Sequence, residues 1–226
     1  MERGAYMASR MLHYILAVEI ANNVMINDMN RFIVGSLIPD ASSHNDSSYD
    51  IAHFENVVKC NDNIKKGIDW TLFENKYGKG IQEDSLYVGY LCHLITDAIW
   101  FKRITDKYIR IYPKDARIKY IKKGYEDFQK LNSILLEKYC ISSPKLQVSS
   151  VDIEEINVNL VDNLIHEMQK DFDVRMQCDK TELVVYPYEA IMEFIDESVS
   201  VCVKEINALR DNRKGVDPYV YYVGIN

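Results

Sequence analysis

His93 and Asp97 stand one helical turn apart within the stretch 86–101, LYVGYLCHLITDAIWF. On an α-helix, positions i and i+4 share a face with Cβ atoms about 5–6 Å apart, close enough for both side chains to reach one ion or each other. The neighbours are apolar almost throughout, so the carboxylate is destined for the interior, where an unpaired charge is costly. Asp97 therefore requires a protonated imidazole, a metal ion or several N–H donors. An internal His–Asp pair would meet that need without further chemistry, so a metal reading requires donors from elsewhere in the chain. His13, Asp40 and His53 precede the pair in sequence. Imidazole nitrogen and carboxylate oxygen are the donor set of zinc-type ions. His44, Asp127 and His166 are further candidates, as additional ligands or as groups that support the ligands.

These residues must be positioned by helices, because only 5 prolines and 9 glycines interrupt 226 residues. Residues 8–26 show helical spacing of Met11, Ile15 and Val18, with Ser9 as the N-cap, and would present His13. A second helix over 28–37 must end before Pro39, which pushes its predecessor out of the α region. The Ser-, Asp- and Asn-rich stretch that follows is a loop carrying Asp40 and His44. Residues 61–80 suggest short helical turns joined by glycine. Asp84 or Ser85 can cap the long helix with His93 and Asp97, which should run to about Tyr112. Further helices are expected over 114–140, 151–173 and 188–212, with a short extended piece at 181–186. The stretch 141–150 is expected to be an inter-helix loop, and the end of the chain irregular and aromatic. The expectation is one all-α, multi-helix domain spanning 1–226. It divides into a metal-site half (about 8–112), C-terminal helices (about 114–212) and a tail (213–226).

The ordered set His13, Gly35-Ser-Leu-Ile-Pro39-Asp40, His53-Phe54 and Gly89-Tyr90-Leu-Cys-His93-Leu-Ile-Thr-Asp97 resembles the zinc-dependent phospholipase C family. That family shares its all-helical fold with single-strand-specific zinc nucleases. The resemblance covers roughly the first half of the chain. It implies one zinc held by Asp40, His53, His93 and Asp97, with Asp97 bridging to a second held by His13. It also implies hydrolysis of a phosphoester by a metal-activated water. Separately from the resemblance, Asp40 could double as the base if it left the metal. The family's third zinc would need a histidine soon after Asp97 and a later His-x-x-x-Asp/Glu pair. Here no histidine follows before His166, and Lys170 stands where the carboxylate belongs. One or two ions, zinc or another divalent metal, are therefore expected.

Composition narrows the partners. Net charge is −7, which disfavours an extended electrostatic surface for nucleic acid. No run reaches the roughly 18 apolar residues of a membrane span. Cys60, Cys92, Cys140, Cys178 and Cys202 are scattered without CxxC spacing, as expected of reduced thiols in a cytoplasm. The substrate expected is a phospholipid head group, a nucleotide or another soluble phosphoester. The alternatives are a non-catalytic helical protein that keeps the fold and a structural metal, or an interaction module. The aromatic residues Trp70, Tyr87, Tyr90, Trp100 and Phe101 are expected in the core.

Overall fold

The computed structural model describes residues 8–42, 47–60, 63–174 and 176–225. The helices that carry the site come first. Helix α1 spans Arg10–Ala21, and its first turn is capped by Ser9, whose Oγ accepts the Leu12 N–H at 3.2 Å. Helix α2 spans Met29–Gly35 and is capped by Asp28. A single 3₁₀ turn, Ile38–Asp40, follows it, and helix α3 spans Ser48–Ala52. Helix α4 covers Trp70–Glu83 and α5 covers Ser85–Trp100. Asp84 caps α5 by accepting the Leu86 N–H at 2.9 Å.

Helix α5 is the buried axis of the molecule. His93, Leu94, Ile95, Asp97 and Ile99 are all at most 1% exposed. It does not continue to Tyr112. Residues Phe101–Thr105 form one π-helical turn, and α6, Asp106–Tyr108, ends the run. Helix α7 (Lys114–Lys138), α8 (Val158–Asp171) and α9 (Tyr188–Arg210) complete the helical layer. Trp70, Tyr90 and Trp100 are buried in the core, while Tyr87 and Phe101 are half-buried at its edge.

Two expected segments differ. Residues 61–80 are not helical turns throughout. Strand β1 (Glu55–Cys60) and strand β2 (Asn63–Ile68) form an antiparallel hairpin, with Val57 opposite Lys66 and Glu55 opposite Ile68. The β-branched Val57–Val58 pair and Ile64, flanking an Asn/Asp-rich stretch, favour a hairpin over a helix. The tail adds a third strand, β3 (Val223–Gly224), on the far edge of β2, after a 3₁₀ turn over Pro218–Tyr221. The fold is thus mostly helical with one small sheet.

The piece at 181–186 is not extended either. Lys180–Glu182 form a 3₁₀ turn, and the N–H groups of Val184, Val185 and Tyr186 turn onto a single carboxylate, Asp127, at 2.6–3.1 Å. Helix α8 begins only at Val158, because Asn157 accepts the Asn159 N–H and caps it there. The preceding residues form a strap instead: Ile153 and Ile156 are buried, and the Asp152 carbonyl accepts the Tyr87 hydroxyl at 2.7 Å.

Candidate metal centre

The crossing of α2 and α5 brings the site together. A Cβ on Gly35 would lie 2.0 Å from the Leu86 carbonyl oxygen, and one on Gly89 would lie 2.0 Å from that of Phe32. Any larger residue would force the two backbones apart. Their contact places the end of α2 against the middle of α5, where the Ser36 carbonyl accepts the His93 Nδ1–H at 2.9 Å. The 3₁₀ turn after α2 then swings Asp40 back toward the same point.

His53 arrives from α3. It ends that helix, and the Tyr49 carbonyl one turn back accepts its Nδ1–H at 2.9 Å. The Tyr49 ring stacks on its imidazole with centroids 3.9 Å apart. Phe54 follows at φ 50°, a left-handed conformation that turns the chain sharply into β1. Its ring packs edge-on against Phe73. His13 comes from α1 and stacks on His93 with centroids 3.9 Å apart. The Thr96 hydroxyl donates to the His93 carbonyl at 2.9 Å, so its oxygen accepts the His13 Nδ1–H at 3.2 Å.

All three imidazoles therefore have Nδ1–H engaged, which leaves each Nε2 as the atom that faces the centre and can take a proton or a metal ion. The three Nε2 atoms converge on Asp97. Oδ1 lies 3.2 Å from His13 Nε2, while Oδ2 lies 3.2 Å from His93 Nε2 and 3.4 Å from His53 Nε2. The Nε2 atoms of His53 and His93 face each other at 3.1 Å. Asp40 Oδ1 completes the group, 3.6 Å from His53 and 3.9 Å from His93. Two sets thus lie within reach of a common ion: His13, His93 and Asp97, and Asp40, His53 and His93.

Opposed lone pairs are repulsive unless a cation lies between them. His13 Nε2 and Asp97 Oδ2 are both buried, and neither makes a hydrogen bond of its own. A divalent ion would resolve all of these contacts at once. Imidazoles whose other nitrogen is fixed by a carbonyl or hydroxyl are the usual form of metal-binding histidine. The residues present fit a zinc-type ion on chemistry as well as on shape.

The electrostatics agree. Burial alone would push the Asp97 carboxyl up, but the imidazoles of His13 and His93 outweigh it and hold the carboxyl well below the usual carboxylate range. Burial disfavours the charged form of His53 too, yet Asp40 and Asp97 raise its pKa to about 10. The pocket thus draws in positive charge. Burial and the nearby His13 push His93 down, leaving a neutral ring ready to donate its lone pair. Asp40 is also shifted down: burial opposes the shift, and His53 and His93 drive it. Its side chain is 17% exposed, whereas His53, His93 and Asp97 are sealed. Solvent reaches this cluster through Asp40.

Of the other candidates, Asp127 and His166 stand apart. His44 lies outside the described residues. The Asp127 carboxylate is taken up by the N–H groups of Val184, Val185 and Tyr186, far along the chain from the imidazoles. That makes it a structural anchor rather than a ligand. His166 is exposed on α8, and Lys170 pairs with Glu167 at 2.9 Å. Among the described residues neither Asp127 nor His166 belongs to a ligand cluster. Tyr49, Ser36 and Thr96 were not among the sequence candidates. Tyr49 and Thr96 did leave a trace in spacing: Tyr49 precedes His53 by four residues, and Thr96 follows His93 by three.

A family model described as zinc dependent phospholipase C matches residues 12–133. That stretch contains His13, Asp40, His53, His93 and Asp97 and excludes His166. No curated protein and no solved structure matches the chain.

Proposed function

Because the chain belongs to the zinc-dependent phospholipase C family, whose model spans more than half of it, we propose that it hydrolyses a phosphoester with divalent cations held at this centre. The observation that carries the reading is the convergence of three imidazole Nε2 atoms on two carboxylates, with each Nδ1–H already bonded. Asp40, His53, His93 and Oδ2 of Asp97 would hold one cation. His13 and Oδ1 of Asp97 would hold its neighbour. Two adjacent divalent cations activate a water and neutralise the charge that gathers on the phosphoryl oxygens.

The chain's own residues supply the rest. The Ser36 and Tyr49 carbonyls and the Thr96 hydroxyl fix the three imidazoles in the tautomer that donates from Nε2. The apolar interior of α5 excludes water from the inner face. Asp40, at the opening, is the carboxylate that meets substrate. Released from the cation, it would accept a proton as the nucleophile attacks phosphorus. A phospholipid head group, a nucleotide or another soluble phosphoester would serve as substrate.

The test is metal analysis of purified protein after dialysis against zinc, followed by hydrolysis of nitrophenyl phosphomonoesters and phosphodiesters. The wild type should retain one or two ions and turn over at least one class, while Asp97→Asn should do neither. Bound metal with no turnover across several metals and substrates would leave a structural metal site as the better reading. No bound metal at all would overturn both.

A further inference from the structure

Positive charge is distributed unevenly along this chain. Residues 102–123 hold nine Lys and Arg against two Asp, a net +7 in a chain whose total is −7. The arginines of that stretch are engaged internally. Arg103 pairs with Glu197 at 2.7 Å and Arg110 with Asp106 at 2.9 Å, while Arg117 donates to the Tyr112 and Arg110 carbonyls. The lysines on the first half of α7 are not. Lys114, Lys119 and Lys122 are exposed and Lys123 is half-buried, and among the described residues none of the four makes an ion pair. With about 3.6 residues per turn, Lys114, Ile118, Lys122 and Tyr125 fall on one side of the helix, flanked by Lys119. The opposite side, with Gly124, Asp127 and Phe128, is buried.

The exposed side is not purely polar. Ile118 and Tyr125 are each 51% exposed, and Ile111, just before the helix, is 64% exposed. Arg117 holds residues 110–112 against the first turns of α7, and Tyr112 stacks on Tyr120 with ring centroids 3.5 Å apart. Asp115 in the first turn and Glu126 near Tyr125 are the acids on this surface, and the four lysines outnumber them. We propose that this side of α7 docks on an anionic lipid surface. Lys114, Lys119, Lys122 and Lys123 meet the head groups, while Ile111 and Ile118 enter the apolar boundary beneath them.

The mixture of side chains selects lipid among anionic partners. A helix with lysines on its polar face and aliphatic or aromatic groups beside them lies in the plane of a membrane, held by charge and by buried apolar area together. Lysine stems run along the apolar layer while their ammonium groups stay at the surface. Tyrosines suit the same level, with an apolar ring and a polar tip. A nucleic acid would take the lysines but gives exposed isoleucines no apolar layer to enter. Burial raises the Tyr125 phenol and the Asp40 charge raises it further, so the docking side borders the opening of the metal centre. Docking requires no turnover, and it stands or falls separately from phosphoester hydrolysis.

Flotation of the full chain with lipid vesicles is the test. The protein should float with vesicles of phosphatidylcholine and phosphatidylserine and stay behind with phosphatidylcholine alone. Added salt should release it, as screening of exposed charge requires. The combined variant Lys114→Gln, Lys119→Gln and Lys122→Gln should bind about 100-fold more weakly, since each lysine near an anionic surface contributes about fivefold. Removing the same charge elsewhere, by Lys79→Gln, Lys170→Gln and Lys214→Gln, should leave binding unchanged. Ile118→Gln keeps every charge and should still weaken binding by about tenfold. All these side chains reach solvent, and unchanged circular dichroism would show that the variants fold. No flotation with the anionic vesicles, or an equal loss in the two lysine variants, would overturn the proposal. Full binding by Ile118→Gln, with tighter binding to single-stranded DNA than to vesicles, would overturn it in favour of a nucleic acid. A dimer that the first lysine variant splits would overturn it too, because a second copy would then cover this side of α7.

Discussion

Asp97 and Asp127 are both aspartates inside helices, 0% and 1% exposed, yet they do opposite work. Asp127 on α7 gathers three consecutive backbone N–H groups at 184–186 and thereby folds that segment against α7. The ring of Tyr186 then packs on Trp100 and Phe128. Asp97 on α5 meets three imidazole nitrogens and one long contact from the Ala8 N–H at 3.4 Å. Burial is equal, so burial does not separate structure from function. The partners do. Backbone donors satisfy a carboxylate permanently, whereas imidazoles satisfy it only through a cation held between them, a proton or a metal ion.

Substitutions can break that contrast. The largest effect should come from Asp97→Asn, which removes the charge that both cation positions share. Metal-dependent turnover should drop by about a thousandfold or more, because the cations that activate the water are lost with it. The rise in Tm on adding zinc should disappear with it. Calorimetric scans with and without zinc would show this; a retained zinc-dependent shift would place the cation elsewhere. Asp127→Ala should behave in the reverse way. It leaves three N–H groups without their acceptor and should cost about 3 kcal/mol of stability. Zinc stoichiometry in the surviving folded protein should be unchanged. If Asp127→Ala lost zinc as readily as Asp97→Asn, the two aspartates would not differ as argued.

Smaller changes sharpen the comparison. Thr96→Val keeps the shape but removes the acceptor of the His13 Nδ1–H, so only one of the two cation positions should weaken. A loss of about 10- to 100-fold in affinity at that position is expected for a supporting group of this kind. Competitive chelator titration would resolve it as one weakened step and one unchanged. At the bottom of the scale, His166→Ala should alter neither metal content nor turnover, because the side chain is exposed on α8 away from the cluster. A measurable loss of metal there would reopen the question of a third ion.

The five side chains that the structure gathers were legible because donor atoms belong to residue types, and helical spacing brings His93 and Asp97 to one face. The groups that orient them were not. The carbonyls of Ser36 and Tyr49 belong to the backbone, which every residue carries, so composition holds no trace of them. The hairpin was missed for a different reason. Val57 and Val58 carry a strand signal, but Lys59, Lys65 and Lys66 dilute it, and pairing with the distant tail is needed to complete the sheet. Asp127 was suspected of the wrong role, because a buried acid looks the same in sequence whether amides or imidazoles await it. The π-helical turn at Phe101–Thr105 likewise leaves no residue pattern of its own and shortened a helix expected to reach Tyr112.

The crossing at Gly35 and Gly89 has a consequence for anyone wishing to transplant this centre into another scaffold. Copying His13, Asp40, His53, His93 and Asp97 onto a generic helical bundle would fail, since ordinary helices with side chains between them sit too far apart. Here main chain touches main chain, so the spacing from Ser36 to His93 has no compressible layer within it. The portable unit is the interlocked helix pair, and the ligands travel with it only as passengers.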